Sequence, residues 1–388
     1  MTYMTNAFQH GISNSAVASN WYSRPADQRF LDLDTMLAAK VSSAQNMTSQ
    51  IIDTHNLEII GDVDEDNPSR GDVRLAYDGV YMSPTNWSFG QLSSLAGAPA
   101  GYLRDLPAPI AADALSWGLR YNRGRELVKA YHSTDTAVAM TGPDYGRIYD
   151  HEIIRPIRDL VRETGGRWKV PGMMVGARDG MAVYDPDVPV TLDTTTLFAS
   201  DRDVFIFLVD DRNPIEVGKL ENGEPDLMFR GFYAWNSEVG AKTAGIAAFY
   251  LRGVCMNRNL WGVENFQELT IRHTKFAPDR FAEEARPALQ SFAHNSTATF
   301  LEGVEAAKAA VVARDDDARL EFLNRRAGLP KALSKAAMAR HVEEEGRPAD
   351  TVWDMAQAIT AVARDVPHQD RRLDVERKAG ALLDKVAA

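Results

Sequence analysis

The alternation of apolar and polar positions divides the chain into a strand-rich part and a helical part. Its most concentrated stretch spans 229–262. Two aromatic-rich apolar runs, Phe229–Trp235 and Ile246–Val254, flank the polar segment Asn236-Ser237-Glu238-Val239-Gly240. Aromatic and β-branched runs bounded by Gly and Asn predict strand, loop, strand. The same grammar predicts strands over 127–131, 136–140, 173–177, 181–184, 194–198, 204–209, 215–217 and 269–272. Asp78-Gly79 and Arg178-Asp179-Gly180 are hairpin signals, the first of them between Val73–Tyr77 and Val80–Ser83. The 204–209 run is apolar enough to be buried on both faces.

Helical spacing takes over elsewhere. Phe89, Leu92, Leu95 and Ala96 predict a helix opened by Ser83-Pro84-Thr85 and stopped by Gly97 and Pro99. Further helices are expected at 100–105, 109–119 and 150–163, the last ended by Gly165-Gly166. After Pro278 the chain is rich in Ala, Glu, Arg and Lys, with apolar residues three and four apart. Four or five helices are expected there, interrupted at Gly328-Leu329-Pro330 and Gly346-Arg347-Pro348. No repeat of fixed period is present. Residues 1–50 are polar and weakly patterned, and read as an extended arm with a short helix around Asp34–Val41. The expected fold class is α+β. A central, mostly antiparallel sheet with helices on one side occupies 51–275, and an all-helical region follows over 276–388.

Composition narrows the class. With 388 residues, 45% hydrophobic and 25% charged, the chain can bury a large core without disulfide or metal support. A single cysteine, Cys255, excludes an intramolecular disulfide and a multi-cysteine metal site, which fits a reducing cytoplasm. The start lacks a basic segment followed by an apolar run, and no stretch approaches the ~20 apolar residues of a spanning helix. A cytoplasmic protein without a membrane partner is therefore expected. The net charge of −11 disfavours broad attachment to nucleic acid or anionic lipid, and leaves room for a local basic groove.

Enzymatic motifs are weak. Gly240-Ala241-Lys242-Thr243 matches only the end of a phosphate-binding loop, and reads as a strand connection. His151-Glu152 lacks the second histidine of a zinc protease, and reads as a first-turn pair complementing the helix dipole. The acidic run 61–66 lacks the closing glutamate of a calcium loop. Cys255 sits between Val254 and Met256 and reads as a packed small hydrophobe. Asp210, Asp211, Glu216 and Lys219 come near a metal-dependent nuclease pattern. However, the spacing of Glu216 and Lys219 sends them to opposite faces of a strand. No cofactor and no metal are expected.

Basic and aromatic residues do gather locally. Arg120, Arg123, Arg125 and Lys129 are interleaved with Tyr121 and Tyr131, and Arg252 and Arg258 flank the end of the strand pair that carries Trp235 and Tyr250. Cations beside aromatic faces on a sheet can follow a phosphate backbone and stack bases.

Several segments together resemble the phage/plasmid-like protein family, a domain of unknown function. They are Trp87–Leu92 with Ala98-Pro99 and Tyr102-Leu103, Tyr145–Asp150, Trp235–Gly240, Arg252–Asn257, Arg272-His273-Thr274, Trp353–Thr360 and Arg371–Leu383. The resemblance covers roughly 70–385. Arg258 departs from it, since a glycine and a tight left-handed turn are expected after Asn257. The resemblance implies a protein of phages, prophages or plasmids. It supplies no catalytic residue. The family's sheet-plus-helix organisation is similar to that of single-strand annealing proteins.

The expected function is therefore non-enzymatic binding of single-stranded nucleic acid in replication, recombination or transcription, acting in the host cytoplasm. Its expected interface is Arg120, Arg123, Arg125, Lys129, Tyr131, Trp235, Tyr250, Arg252 and Arg258, converging on one groove across the sheet. Possible companions are phage or host replication and transcription proteins, or further copies of the chain. The alternatives are a host-takeover or protein-interaction factor with an acidic face from 53–78 and 201–226, and the nuclease. The Asn236-Ser237-Glu238 loop is either a functional loop or a structural corner whose side chains cap backbone groups.

Overall fold

The run at 204–209 opens the longest strand of a large antiparallel sheet. That sheet follows the order β1 (Arg29–Phe30), β10 (Leu197–Ala199), β11 (Val204–Lys219), β12 (Pro225–Asn236), β13 (Ala244–Arg252) and β14 (Arg258–Asn259), with β15 (Glu268–Ile271) also paired to β13. The computed structural model describes residues 24–387 apart from 64, 66–70, 122–125, 179–180, 221–222, 254–257, 260–267, 295–296 and 367–368. A second sheet has the order β2 (Thr48–Asp53), β6 (Leu127–His132), β7 (Thr136–Thr141), β5 (Val80–Pro84), β4 (Val73–Tyr77) and β3 (Glu58–Gly61), antiparallel except between β5 and β7. A separate hairpin joins β8 (Met173–Arg178) to β9 (Met181–Asp185).

The fold is α+β, with two sheets where the sequence suggested one. Residues 215–217 are the continuation of β11, which passes through irregular pairing between Asp210 and Ile215. Asp78 and Gly79 both take positive φ, 50° and 77°, the geometry of the tight hairpin turn their pairing predicts. The helix expected from Ser83 begins later. Thr85 caps it, its hydroxyl accepting from Ser88 N–H at 3.1 Å, while Pro84 ends β5. Much of the expected polar arm is ordered structure. α1 (Leu33–Gln45) buries Leu33, Met36 and Leu37, and β1 pairs with β10.

Strict alternation along β11 and β12 fills two cores. Val204, Ile206, Leu208, Phe232 and Ala234 face α1, α5 (Asp150–Glu163) and α6 (Ala277–His294). Phe205, Phe207, Val209, Phe229, Tyr233 and Trp235 face the other way, and pack with Leu373 and Tyr184. Helices on one side alone would leave this aromatic face in water; instead both faces are covered, so β11 and β12 read as nearly continuous apolar runs. The second sheet packs on α2 (Asn86–Leu95), α3 (Ala100–Arg104) and α4 (Ala108–Tyr121). The C-terminal helices α7 (Ala298–Ala309), α8 (Asp316–Glu321), α9 (Lys331–Glu345), α10 (Val352–Ala363) and α11 (Gln369–Ala387) wrap a further core. Every residue of α10 is buried, including the polar Asp354, Gln357 and Thr360; Asp354 pairs with Arg347 at 2.6 Å and the Thr360 hydroxyl donates to Ala356 O at 3.1 Å. This core also takes in Val217, Met228 and Tyr250, which tie the helices to the large sheet.

Candidate nucleic-acid interface

The Asn236–Ala241 connection between β12 and β13 is where the two sheets meet. Asn236 Nδ2 donates to Ile148 O and to Asp150 Oδ1, both at 2.8 Å. Ser237 Oγ donates to Arg202 O at 2.7 Å and accepts from Ala241 N–H at 3.0 Å. Glu238 Oε2 accepts from Tyr131 Oη at 2.9 Å, and Oε1 accepts from Asp150 N–H at 2.6 Å. The Val239 carbonyl accepts from Trp87 Nε1 at 2.9 Å and from Gln91 Nε2 at 2.8 Å. Gln91 Oε1 in turn accepts from Met140 N–H at 2.9 Å. The segment is thus a structural corner in which side chains replace strand hydrogen bonds.

One ion pair lies inside this corner, beside a buried arginine and a buried carboxyl. Lys40 from α1 pairs with Asp150 at 2.8 Å and donates to Ser200 O at 2.5 Å. Arg147 lies over the Tyr131 ring at 3.7 Å and donates to the Glu238 main-chain oxygen. Burial, reinforced by the Asp150 charge, pushes the Glu238 carboxyl well above the usual range. Burial and the adjacent Glu238 likewise raise the Tyr131 phenol. Burial lowers the Arg147 guanidinium and the His273 imidazole. Nearby, burial opposes the charge of Asp203, yet Arg24, Lys242 and Arg202 hold it at about 2.

These placements break up the groove expected across the sheet. Tyr131 is only 2% exposed, and Lys129 Nζ is spent on the Tyr145 carbonyl at 2.8 Å. Trp235, 5% exposed, lies in the aromatic core, with its ring stacked on Tyr233 at 5.0 Å and its indole N–H bonded to Thr243 at 3.2 Å. Tyr250, 4% exposed, stacks on Phe300 of α7 at 3.7 Å. Arg252, 3% exposed, is bound through Nε and Nη2 to Asp226 at 2.8 and 3.0 Å, and also to Glu345 of α9. The aromatic and basic pattern of this strand pair is explained by the C-terminal helices docking on it. Arg258 is extended in β14 opposite Leu251, so no left-handed turn is made there. Arg123, Arg125 and Cys255 lie outside the described residues.

The other candidate sites come apart in the same way. Asp210 and Asp211 point to opposite faces of β11. Asp210 is bound to Arg167, and Asp211 to Lys169 at 2.9 Å and Tyr184 Oη at 2.7 Å. Glu216 lies beyond the irregular pairing and is exposed. Among the described residues, no three His, Cys, Asp or Glu side chains are grouped to hold a metal ion. Of the acidic residues expected to form a face from 201–226, Asp203, Asp210, Asp211 and Asp226 are buried, while Glu216 and Glu224 are exposed. Lys242 pairs with Asp203 at 3.7 Å, as suits a strand connection. Glu152 accepts from Tyr149 N–H at 2.8 Å, the first-turn role expected of it.

One expected residue stands on an open surface. Arg120 is exposed on the outer face of α4, with no ion pair among the described residues. Beside it, Trp117 and Tyr121 are 67% and 66% exposed, with ring centroids 4.2 Å apart. Ile110 and Asp113 continue the face toward the start of the helix. The opposite side of α4 buries Ala111, Ala112, Leu115 and Leu119. Sequence reasoning passes over Trp117. The available signal is its spacing, four residues before Tyr121 and out of phase with the buried stripe.

No family model, curated protein or solved structure matches the chain. No helix among the described residues is long and apolar enough to cross a membrane.

Proposed function

We propose that the chain is a member of the phage/plasmid-like family and a non-enzymatic single-stranded nucleic-acid-binding protein, serving replication, recombination or transcription of a mobile element. The observation that carries this reading is the exposed Trp117–Tyr121 pair with Arg120 beside it. Two large rings left in water lose the burial that aromatic residues normally gain. Unpaired bases supply both a stacking surface and a phosphate chain for the neighbouring cation. The sequence continues after Tyr121 with two further arginines, Arg123 and Arg125. The interface is therefore relocated from the sheet to this helix.

The test is a titration of a labelled single-stranded oligonucleotide into the full chain at low salt, repeated as salt rises. Binding should quench Trp117 fluorescence and weaken with salt as phosphate contacts release counterions. Absence of binding at low salt would reject the proposal and favour the protein-interaction alternative, because Trp, Tyr and Arg are also the residues that anchor protein interfaces.

A further inference from the structure

The edges of the two sheets are protected unequally. The large sheet ends in two-residue strands, β1 on one side and β14 on the other, with the four-residue β15 beside it. The β3 edge of the second sheet lies against α4, whose Ala108–Pro109 backbone occupies the space a side chain at Gly61 would need. Among the described residues, β2 has no comparable cover. It is six residues long, Thr-Ser-Gln-Ile-Ile-Asp, without lysine or proline. Among the described residues it pairs with β6 alone. Thr48, Ser49 and Ile51 are exposed, Ile51 to 46%. Natural sheets rarely leave such an edge open, since it is a template for another strand.

The phase of β2 fixes which groups point outward. Thr54 N–H donates to Glu126 O at 2.8 Å, immediately beyond the Asp53–Leu127 pair. By antiparallel alternation, Ile52, Gln50 and Thr48 then also bond to β6. Ser49, Ile51 and Asp53 turn their main-chain N–H and C=O groups away from the sheet.

We infer that β2 is the interface of a two-fold homodimer, in which the β2 strands of two copies pair antiparallel about Ile51. This register places Ile51 opposite Ile51 of the second copy and Ser49 opposite its Asp53. All three outward-facing residues then form hydrogen-bonded pairs. The exposed isoleucines bury each other, and no like charges face each other, because Asp53 is the only charge on the strand. The contact is self-complementary, as a two-fold interface must be. It joins the two six-stranded sheets into one continuous sheet. The inference is independent of nucleic-acid binding.

Light scattering and sedimentation of the full chain over a wide concentration range test the inference, with three variants. Wild type should be dimeric. Ile51→Lys sets two ammonium groups against each other, and should raise the dimer dissociation constant at least tenfold while leaving the melting curve of the dilute, monomeric protein unchanged. Ile51→Pro removes only an outward N–H, so it should also yield monomer without disturbing the β2–β6 ladder. Ser49→Lys faces Asp53 of the second copy and should tighten the dimer. A wild type that stays monomeric throughout, or a dimer unaffected by both Ile51 variants, would overturn the inference.

Discussion

Tyr131 and Glu238 lie 107 positions apart and are joined by a 2.9 Å hydrogen bond at the contact between the two sheets. Tyr131 belongs to β6 of the second sheet, and Glu238 to the corner between β12 and β13 of the large one. The bond is one of several that fix the corner, together with the Asn236–Asp150 and Lys40–Asp150 pairs. A buried carboxyl is tolerated here because two donors reach it and an arginine lies across its tyrosine partner. The corner is thus the polar seam of an otherwise apolar contact that includes Val138, Ala139 and Val239.

Proton uptake by Glu238 should be visible in stability. Burial, followed by the Asp150 charge, pushes its carboxyl up to about 7 in the fold, against an ordinary 4.5. The folded protein therefore holds this proton more tightly than the unfolded chain. Its stabilising effect is complete below about pH 4.5, and is lost as pH rises through about 7. The half-buried His273 and His151, both lowered by burial, act in the opposite sense by favouring unfolding as pH falls. The useful quantity is thus the difference from Glu238→Gln, which keeps the shape and cannot titrate. Between pH 5 and 8 the wild type should lose about 1–3 kcal/mol relative to the variant. Thermal melts at both ends of that range measure it; parallel pH profiles would rule out Glu238 as the titrating group.

Arg252 separates a structural from a nucleic-acid role. Its guanidinium holds Asp226 and the α9 carboxylate Glu345 where the helical region meets the sheet. Arg252→Ala leaves two carboxylates facing each other in a buried site, a loss of about 3–5 kcal/mol. Oligonucleotide affinity, measured at a temperature where the variant is folded, should be unchanged. A large affinity loss without destabilisation would restore Arg252 to the interface.

Much of the architecture can be read from local pattern. The Asp78-Gly79 turn, the helix over 150–163 and the double-sided burial of 204–209 all follow from residue chemistry within a short window. What cannot be read is which partner covers an apolar or charged strand. Arg252, Tyr250 and Trp235 have the composition of a nucleic-acid surface, and Asp210 and Asp211 that of a metal site. Only tertiary contacts reveal that α7, α9 and α11 cover the first group, while Arg167 and Lys169 neutralise the second. Glu238 is a similar case. Its loop stands out in sequence, but the tyrosine that receives it lies more than a hundred positions away. Trp117 is the converse, a functional candidate hidden within a helix whose buried stripe draws the eye.

Removing the α4 rings should weaken binding without weakening the fold. Trp117 and Tyr121 are two-thirds exposed and contribute little to the core. Trp117→Ala and Tyr121→Ala should each cost about 1–3 kcal/mol of single-strand affinity, the usual loss of one base-stacking contact. Arg120→Ala should give a smaller loss, together with a shallower salt dependence. Melting temperatures should stay near wild type. If the chain binds oligonucleotide and the ring variants bind equally well, the surface lies elsewhere while the function stands.

Gly118 tests whether α4 must sit close to its neighbour to present those rings. It lies on the buried side of the helix, where an added Cβ would strike the main chain and side chain of Ala96, just after α2. Backbone cannot yield as a flexible side chain would, so Gly118→Ala must push α4 away from α2. The strain should cost about 1–3 kcal/mol, more than offsetting the helix propensity gained by replacing glycine. Trp117 and Tyr121 face the other way and remain free to stack. The variant should therefore melt earlier while keeping its oligonucleotide affinity, the reverse of the Trp117→Ala outcome. Chemical denaturation and fluorescence titration of the same sample separate the two effects. An unchanged melting temperature would mean that α4 can shift without cost.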